Sequence, residues 1–190
     1  HYVHVLQEST REPVRIAALK KLGALRSPMA LGAVIEALGD PSLAVRHRAA
    51  ETLGKIGAAE ACEALAAALF SPVSGIQSPA ARALGRIGGK PSLKVLLHDL
   101  RQRDPAVLGD IVDALAAIGD ESATIPLIAL FNDTTDTSLR QRIAETLARL
   151  NRLESGTDIA EWLLARTLPS PLSAVPASAA WQEDREPVPA

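Results

Sequence analysis

Apolar residues return along this chain with two superposed periods, a short one of three and four residues and a long one of about 31. The long period is marked by Leu22-Gly23, Leu53-Gly54, Leu84-Gly85, Leu115-Ala116 and Leu147-Ala148, which recur at intervals of 31, 31, 31 and 32 residues. Around each Leu the same positions are apolar again. Val14, Ala18, Leu19, Leu22 and Leu25 become Val45, Ala49, Ala50, Leu53 and Ile56, then Ile76, Ala80, Ala81, Leu84 and Ile87. Val107, Ile111, Val112, Leu115 and Ile118 follow, and then Leu139, Ile143, Ala144, Leu147 and Leu150. Spacings of three and four put these side chains on one stripe of a helix, the first helix of each unit. The small residue after each central Leu predicts close approach of a neighbouring helix.

A second stripe predicts a second helix in each unit. It runs through Val34, Ile35 and Leu38, then Leu65, Ala66 and Leu69, then Leu96, Leu97 and Leu100. Leu127, Ile128 and Phe131, and finally Ile159, Ala160 and Leu163, complete it. Gly57, Gly88 and Gly119 are placed to end first helices, where a residue without Cβ turns left-handed at least cost. Asp40-Pro41 and Ser71-Pro72 are read as an N-cap and a proline in the first turn. One helix pair cannot bury both stripes, so neighbours must stack. The expected fold is an all-α solenoid, a superhelix of about five helix pairs over residues 1–168. His1 to Ser9 reads as the second helix of a preceding unit. Pro79 falls where sister units are already helical, so the third unit's first helix should start late or bend. Pro169, Pro171, Pro176, Pro187 and Pro189 exclude a continued helix, and residues 169–190 are read as a Pro/Ala-rich tail.

Composition narrows the function classes. A formal net charge of −2 lacks the positive field that drives nucleic-acid binding, so none is expected. Aromatic residues make up only 3% while Ala and Leu abound, which favours close-packed helices over sheets. Cys62 is the single cysteine, so no internal disulfide can form and a reducing, cytoplasmic setting is expected. No run of 18 apolar residues occurs, so membrane insertion is not expected, and the isolated chain is expected to be mostly monomeric.

The stretch Asp40-Pro41, Val45-Arg46, Ala49-Ala50, Leu53-Gly54 and Ile56-Gly57 resembles the HEAT-like repeat named after phycobilisome lyases. The resemblance covers roughly residues 10–165. It implies a superhelical stack but no single activity, since scaffolds, adaptors, bilin lyase subunits and phycobilisome-degradation factors share the fold. It also implies a ladder in which the acidic residue before the proline pairs with the Arg after the Val. Asp40 and Arg46 fit that pattern, and Arg15 and Arg140 occupy the Arg position, whereas Gln77 and Leu108 do not. The ladder should therefore be broken in the middle.

Catalytic chemistry finds little support. HEAT-like hydroxylases carry paired His-Glu motifs, and no His-Glu dipeptide occurs here. His98-Asp99 is the nearest thing to a ligand pair, but the other histidines are His1, His4 and His47, so no metal is expected. HEAT-like DNA glycosylases use aromatic and acidic residues on a basic face, and only Trp162 is placed for that. Cys62 aligns with Leu31 and Leu93 and reads as a small buried apolar residue rather than a nucleophile. Lys55, Arg86 and Arg149 share a position in the last turn of a first helix, where cations offset the macrodipole without any ligand. Bilin lyase subunits are commonly rich in aromatic residues, which are missing from Arg48 to Gly54.

In HEAT-type solenoids the second helices line the concave surface. Outward projection there predicts one row of Ala33, Ala64, Val95, Pro126 and Asp158, and a second of Glu36, Ala67, His98, Ala129 and Glu161. A third row holds Ala37, Ala68, Asp99, Leu130 and Trp162. Smooth, largely apolar rows suit a partner helix or extended segment better than a catalytic pocket. The expected partner contacts are Glu36, Val95, His98, Asp99, Leu130, Asp158, Glu161, Trp162 and, in the tail, Trp181 beside Glu183, Asp184 and Glu186. The function read from these features is a non-enzymatic protein-protein interaction scaffold, without cofactor, metal or catalytic residue. The alternative is a phycobilin lyase subunit or another phycobiliprotein-handling factor, whose partner would be a phycobiliprotein or a second lyase subunit.

Overall fold

A computed structural model describes residues 1–73, 75–98, 100 and 105–152. All of them lie in the first of two units into which the chain divides, His1–Ser155 and Gly156–Ala190. Among the described residues there are ten α-helices and no strand. First helices are α2 (Glu12–Leu25), α4 (Leu43–Ile56), α6 (Gln77–Ile87), α8 (Pro105–Ile118) and α10 (Thr137–Leu150). Second helices are α1 (Tyr2–Glu8), α3 (Leu31–Glu36), α5 (Cys62–Leu69), α7 (Gly89–Leu97) and α9 (Thr124–Asp133). As expected, α1 packs against α2 as the second helix of a preceding unit. The second helix of the fifth pair and the tail fall outside the described residues.

The first helices bury the predicted stripe. Leu19, Leu53, Leu84, Leu115, Ile143 and Leu147 are fully buried, as are Ala49, Ala50, Ala80, Ala81, Ile111 and Val112. Each large side chain so buried contributes about 1.5–3 kcal/mol. Leu25 departs from the stripe and is 64% exposed, because Arg26 already turns left-handed at φ 47° and ψ 39°. Gly57 occupies the equivalent left-handed position after α4, and Gly88 and Gly119 also have positive φ.

Helices α4, α6 and α8 meet with almost no side chain between them. A Cβ built on Gly54 would stand 3.0 Å from Ala83 Cα, and one on Gly85 2.7 Å from Ala114 Cβ. The Thr52 hydroxyl donates to the Leu19 carbonyl at 3.1 Å, tying α4 to α2 inside the core. The glycines after Leu53 and Leu84 thus do what the sequence pattern requires.

Helix starts differ in detail from expectation. Helix α4 begins at Leu43 with Ser42 as its N-cap, accepting from the Val45 N–H at 3.4 Å. Asp40 and Pro41 precede it, and the Asp40 carboxylate accepts from the Ser42 N–H at 2.8 Å in a turn. Ser71 likewise accepts from the Val73 N–H at 3.1 Å well before α6. The N-cap reading of these two dipeptides is corrected: both acceptors close a turn upstream of the helix. The late start of α6 is as expected. It has 11 residues against 14 in each sister helix, and Pro79 sits in its first turn, where a missing N–H is tolerated.

Second helices are rotated from the predicted stripe by about one residue. Their buried face runs through Ala30, Ala33, Val34 and Ala37, then Ala61, Leu65, Ala68 and Leu69, then Leu93, Leu96 and Leu100, then Ala123, Leu127 and Leu130. Ile35, Ala66, Leu97 and Ile128 are only half-buried. Between neighbouring second helices lie open grooves, one of about 500 Å³ against α1 and α3 and one of about 480 Å³ against α3 and α5. A third, of about 510 Å³, separates α5 from α7. These grooves open along the second helices, the row in which the sequence pattern places the partner surface.

Candidate functional site: grooves between the second helices

The first groove is floored by an ion pair between units. Arg15 Nε donates to Asp40 Oδ2 at 2.7 Å and its Nη2 to Asp40 Oδ1 at 2.9 Å, with side chains 12% and 9% exposed. Burial alone would raise the Asp40 carboxyl, but the Arg15 guanidinium, the Ser42 N–H and the more distant Arg46 outweigh it and hold the group below its usual value. Arg15 Nη1 also donates to the Ser9 carbonyl at 3.1 Å. At the rim, Glu36 is exposed and accepts from Gln7 Nε2 at 3.3 Å.

The carbonyl part of this arrangement repeats. Arg46 Nη1 donates to the Asp40 carbonyl at 2.7 Å, Gln77 Nε2 to the Ser71 carbonyl at 2.9 Å, and Arg140 Nη1 to the Thr134 carbonyl at 3.1 Å. In every case donor and acceptor are six residues apart. The expected break at Gln77 is therefore partial: a shorter amide keeps the rung to the backbone and gives up the charge. The carbonyl six residues before Leu108 lies outside the described residues. Arg140 additionally stacks on Phe131, 4.1 Å from the ring centre.

The third groove brings Val95 and His98 together, as the sequence rows predict. Val95 is half-buried and His98 exposed, and Lys94, Pro91, Glu60, Glu63 and Ala66 complete the walls. Phe70, which sequence reasoning missed, meets His98 edge to face with ring centres 5.2 Å apart and remains 40% exposed. Its only signal in sequence was a large aromatic just past the end of the α5 stripe. Cys62 is buried, with Sγ 3.3 Å from Ser92 Oγ, as expected of a core residue.

Leu130 does not belong to this surface. It is 3% exposed, in register with buried Ala37 and Ala68, so the third projected row points into the core. The rotation of the second helices is the physical reason. Asp99, Asp158, Glu161, Trp162 and Trp181 lie outside the described residues.

The outer face of the first helices is polar and internally paired. Arg82 meets Asp110 at 3.0 Å, Arg142 meets Asp113 at 3.1 Å and Arg48 meets Glu51 at 2.6 Å. Lys55, Arg86 and Arg149 stand in last turns, as predicted. Among the described residues no three His, Cys, Asp or Glu side chains gather as a metal site would need. No described helix is long and apolar enough to cross a membrane.

A family model for HEAT repeats matches residues 2–77 and 70–148. The chain belongs to the HEAT-repeat family. It is similar to a chain of the solved complex of CpcE and CpcF of phycocyanin lyase from Nostoc sp. PCC7120. That match has 25% identity and a TM-score of 0.63 over 80% of this chain. The chain spans 64% of the length of the lyase chain it matches. Two designed armadillo-type proteins share the HEAT-like fold at 18% identity. One is the designed armadillo repeat protein YIII(Dq)4CqI, with a TM-score of 0.55 over 87% of each chain. The other is a computationally designed armadillo repeat protein for modular peptide recognition, with a TM-score of 0.52 over 86% of each. No curated protein sequence matches the chain.

Proposed function

We propose that this HEAT-repeat chain is a non-enzymatic scaffold that holds a partner polypeptide in the grooves between its second helices. The observation that carries the reading is the α5–α7 groove, where an exposed Phe70 and half-buried Val95 stand beside a charged rim of Glu60, Glu63 and Lys94. Exposed aromatic and aliphatic groups ringed by charge are the anatomy of a protein interface rather than of a reaction centre. Glu36, Val95 and His98 are the described members of the expected contact set, and Phe70 joins them.

A second reading is a subunit of a phycobilin lyase or of another phycobiliprotein-handling factor. The similarity to the phycocyanin lyase complex of CpcE and CpcF favours it. One experiment separates the two. The chain is mixed with phycocyanobilin and with apo-phycocyanin, and absorption is followed, while a tagged chain and its Val95→Asp variant are compared for capture of a defined protein. An unchanged bilin spectrum with capture lost in the variant supports the scaffold. Bilin transfer or a shifted spectrum supports the lyase subunit.

A further inference from the structure

The groove between α3 and α5 repeats the Arg15 groove one unit on, with one group missing. Ala64, Ala67 and Ala68 stand where Ala33, Glu36 and Ala37 stand, and Arg46 stands where Arg15 stands. Arg15 finds its carboxylate 25 residues on, at Asp40. Twenty-five residues beyond Arg46 the chain has Ser71, whose hydroxyl is engaged by the Val73 N–H. Arg46 keeps its two backbone carbonyls, Asp40 at 2.7 Å and Pro41 at 3.0 Å, both through Nη1. Its Nε is buried and has no hydrogen-bond partner, the one such side-chain atom among the described residues.

A buried guanidinium N–H without an acceptor is costly, and a carboxylate is the acceptor whose geometry fits it best. Both guanidinium groups feel the Asp40 carboxylate, but only Arg15 is hydrogen-bonded to it, and it engages both of its oxygens. Arg46 therefore brings its positive charge to the second groove with backbone carbonyls, and no carboxylate, as its hydrogen-bond acceptors. Val73, 50% exposed, lines the same groove and supplies an apolar wall next to that charge.

We propose that the α3–α5 groove binds an acidic side chain of a partner polypeptide, an Asp or Glu flanked by an apolar residue, whose carboxylate takes on Arg46 the place that Asp40 takes on Arg15. This rests on the scaffold reading and names the partner's chemistry at one position. The apolar neighbour lies against Val73. Ser71 is the determinant, because it stands where the preceding unit has the Asp40 carboxylate and supplies no charge there.

The test follows the Arg46 Nε–Hε signal by ¹⁵N NMR in the full chain. The probes are a capped pentapeptide with Asp at its centre and Leu on both sides, its Asn counterpart, and sodium acetate. The expected result is movement of the Arg46 signal with the Asp peptide and roughly tenfold or more weaker binding of the Asn peptide. Arg46→Gln should abolish the difference between the two peptides. Ser71→Asp should do so in a fully folded protein, because it supplies the carboxylate from within. Equal binding of both peptides, a stationary Arg46 signal, or unchanged binding in Ser71→Asp overturns the proposal. Saturation by acetate as strong as by the Asp peptide overturns the polypeptide occupant. Partner capture that is lost in Val95→Asp but untouched by Ser71→Asp overturns this inference and leaves the scaffold standing.

Discussion

Gly85 and Ala114 lie so close across α6 and α8 that a Cβ on the glycine would stand 2.8 Å from Ala114 Cα. The atom in the way is backbone, so relief requires the two helices to part. Gly85→Ala should therefore destabilise the stack by roughly 1–3 kcal/mol although alanine is the better helix former. Gly32, in α3 with nothing within 4 Å of its would-be Cβ, supplies the control. Gly32→Ala should stabilise by about 0.5–1 kcal/mol. Urea unfolding midpoints of the two variants should move in opposite directions.

Leu130 separates core from surface. Since it is buried, Leu130→Ala should cost roughly 2–5 kcal/mol, the range for deleting core methyl groups. Leu25→Ala, at a residue 64% exposed, should stay within about 0.5 kcal/mol of the parent. A small effect at position 130 in thermal unfolding would refute its place in the core.

Acid should weaken the joint between the first two units through Asp40. Its folded-state carboxyl titrates lower than in the unfolded chain, so the stabilisation is present above the unfolded value of about 4. It is lost as pH falls through the folded value. Asp120 and Asp136, held low first by the Ser122 and Ser138 hydroxyls respectively, act with the same sign. Asp40→Asn should lower the thermal midpoint at neutral pH and leave a shallower fall between pH 5 and the acid limit. Scans across that range measure both.

Phe70→Ala should weaken binding of a groove partner by about 2 kcal/mol, the scale of an aromatic anchor, while far-ultraviolet circular dichroism stays unchanged. Isothermal titration with the captured partner reads the difference.

Cys62, buried beside Ser92, should react with a thiol reagent only as the protein opens. Its labelling rate in native buffer should be far below that in urea, and should rise in Gly85→Ala.

The repeat, the first-helix stripe and the glycine approach were legible because each unit restates them against polar neighbours. The rotation of the second helices was not. From Leu31 to Leu38 the segment carries one charged residue, Glu36, so an apolar stripe could be drawn through Ile35 or Ala37 with equal sense. Only packing against α4 decides, and it chooses Ala37. Asp40 and Ser42 posed a similar choice between two side-chain acceptors close together before one helix. The Arg15 partner withdrew Asp40 from capping. Val95 and His98, from the first and second projected rows, both stand at the α5–α7 groove, whereas Leu130 was misplaced because its row lay one step too far round the helix.

Among the described residues, several side-chain bonds that join units reach about one repeat along the chain. Arg15 meets Asp40 25 residues on, Arg82 meets Asp110 28 on, Cys62 meets Ser92 30 on, and Thr52 meets Leu19 33 back. Contacts this local shorten the search a folding chain must make, and order can spread outward from any pair. They also make length a free variable. Duplicating or excising one unit would keep the first-helix stripe in register while changing which side chains meet at the new joint, so the reach of the grooved surface can grow or shrink in steps of one groove without a new fold.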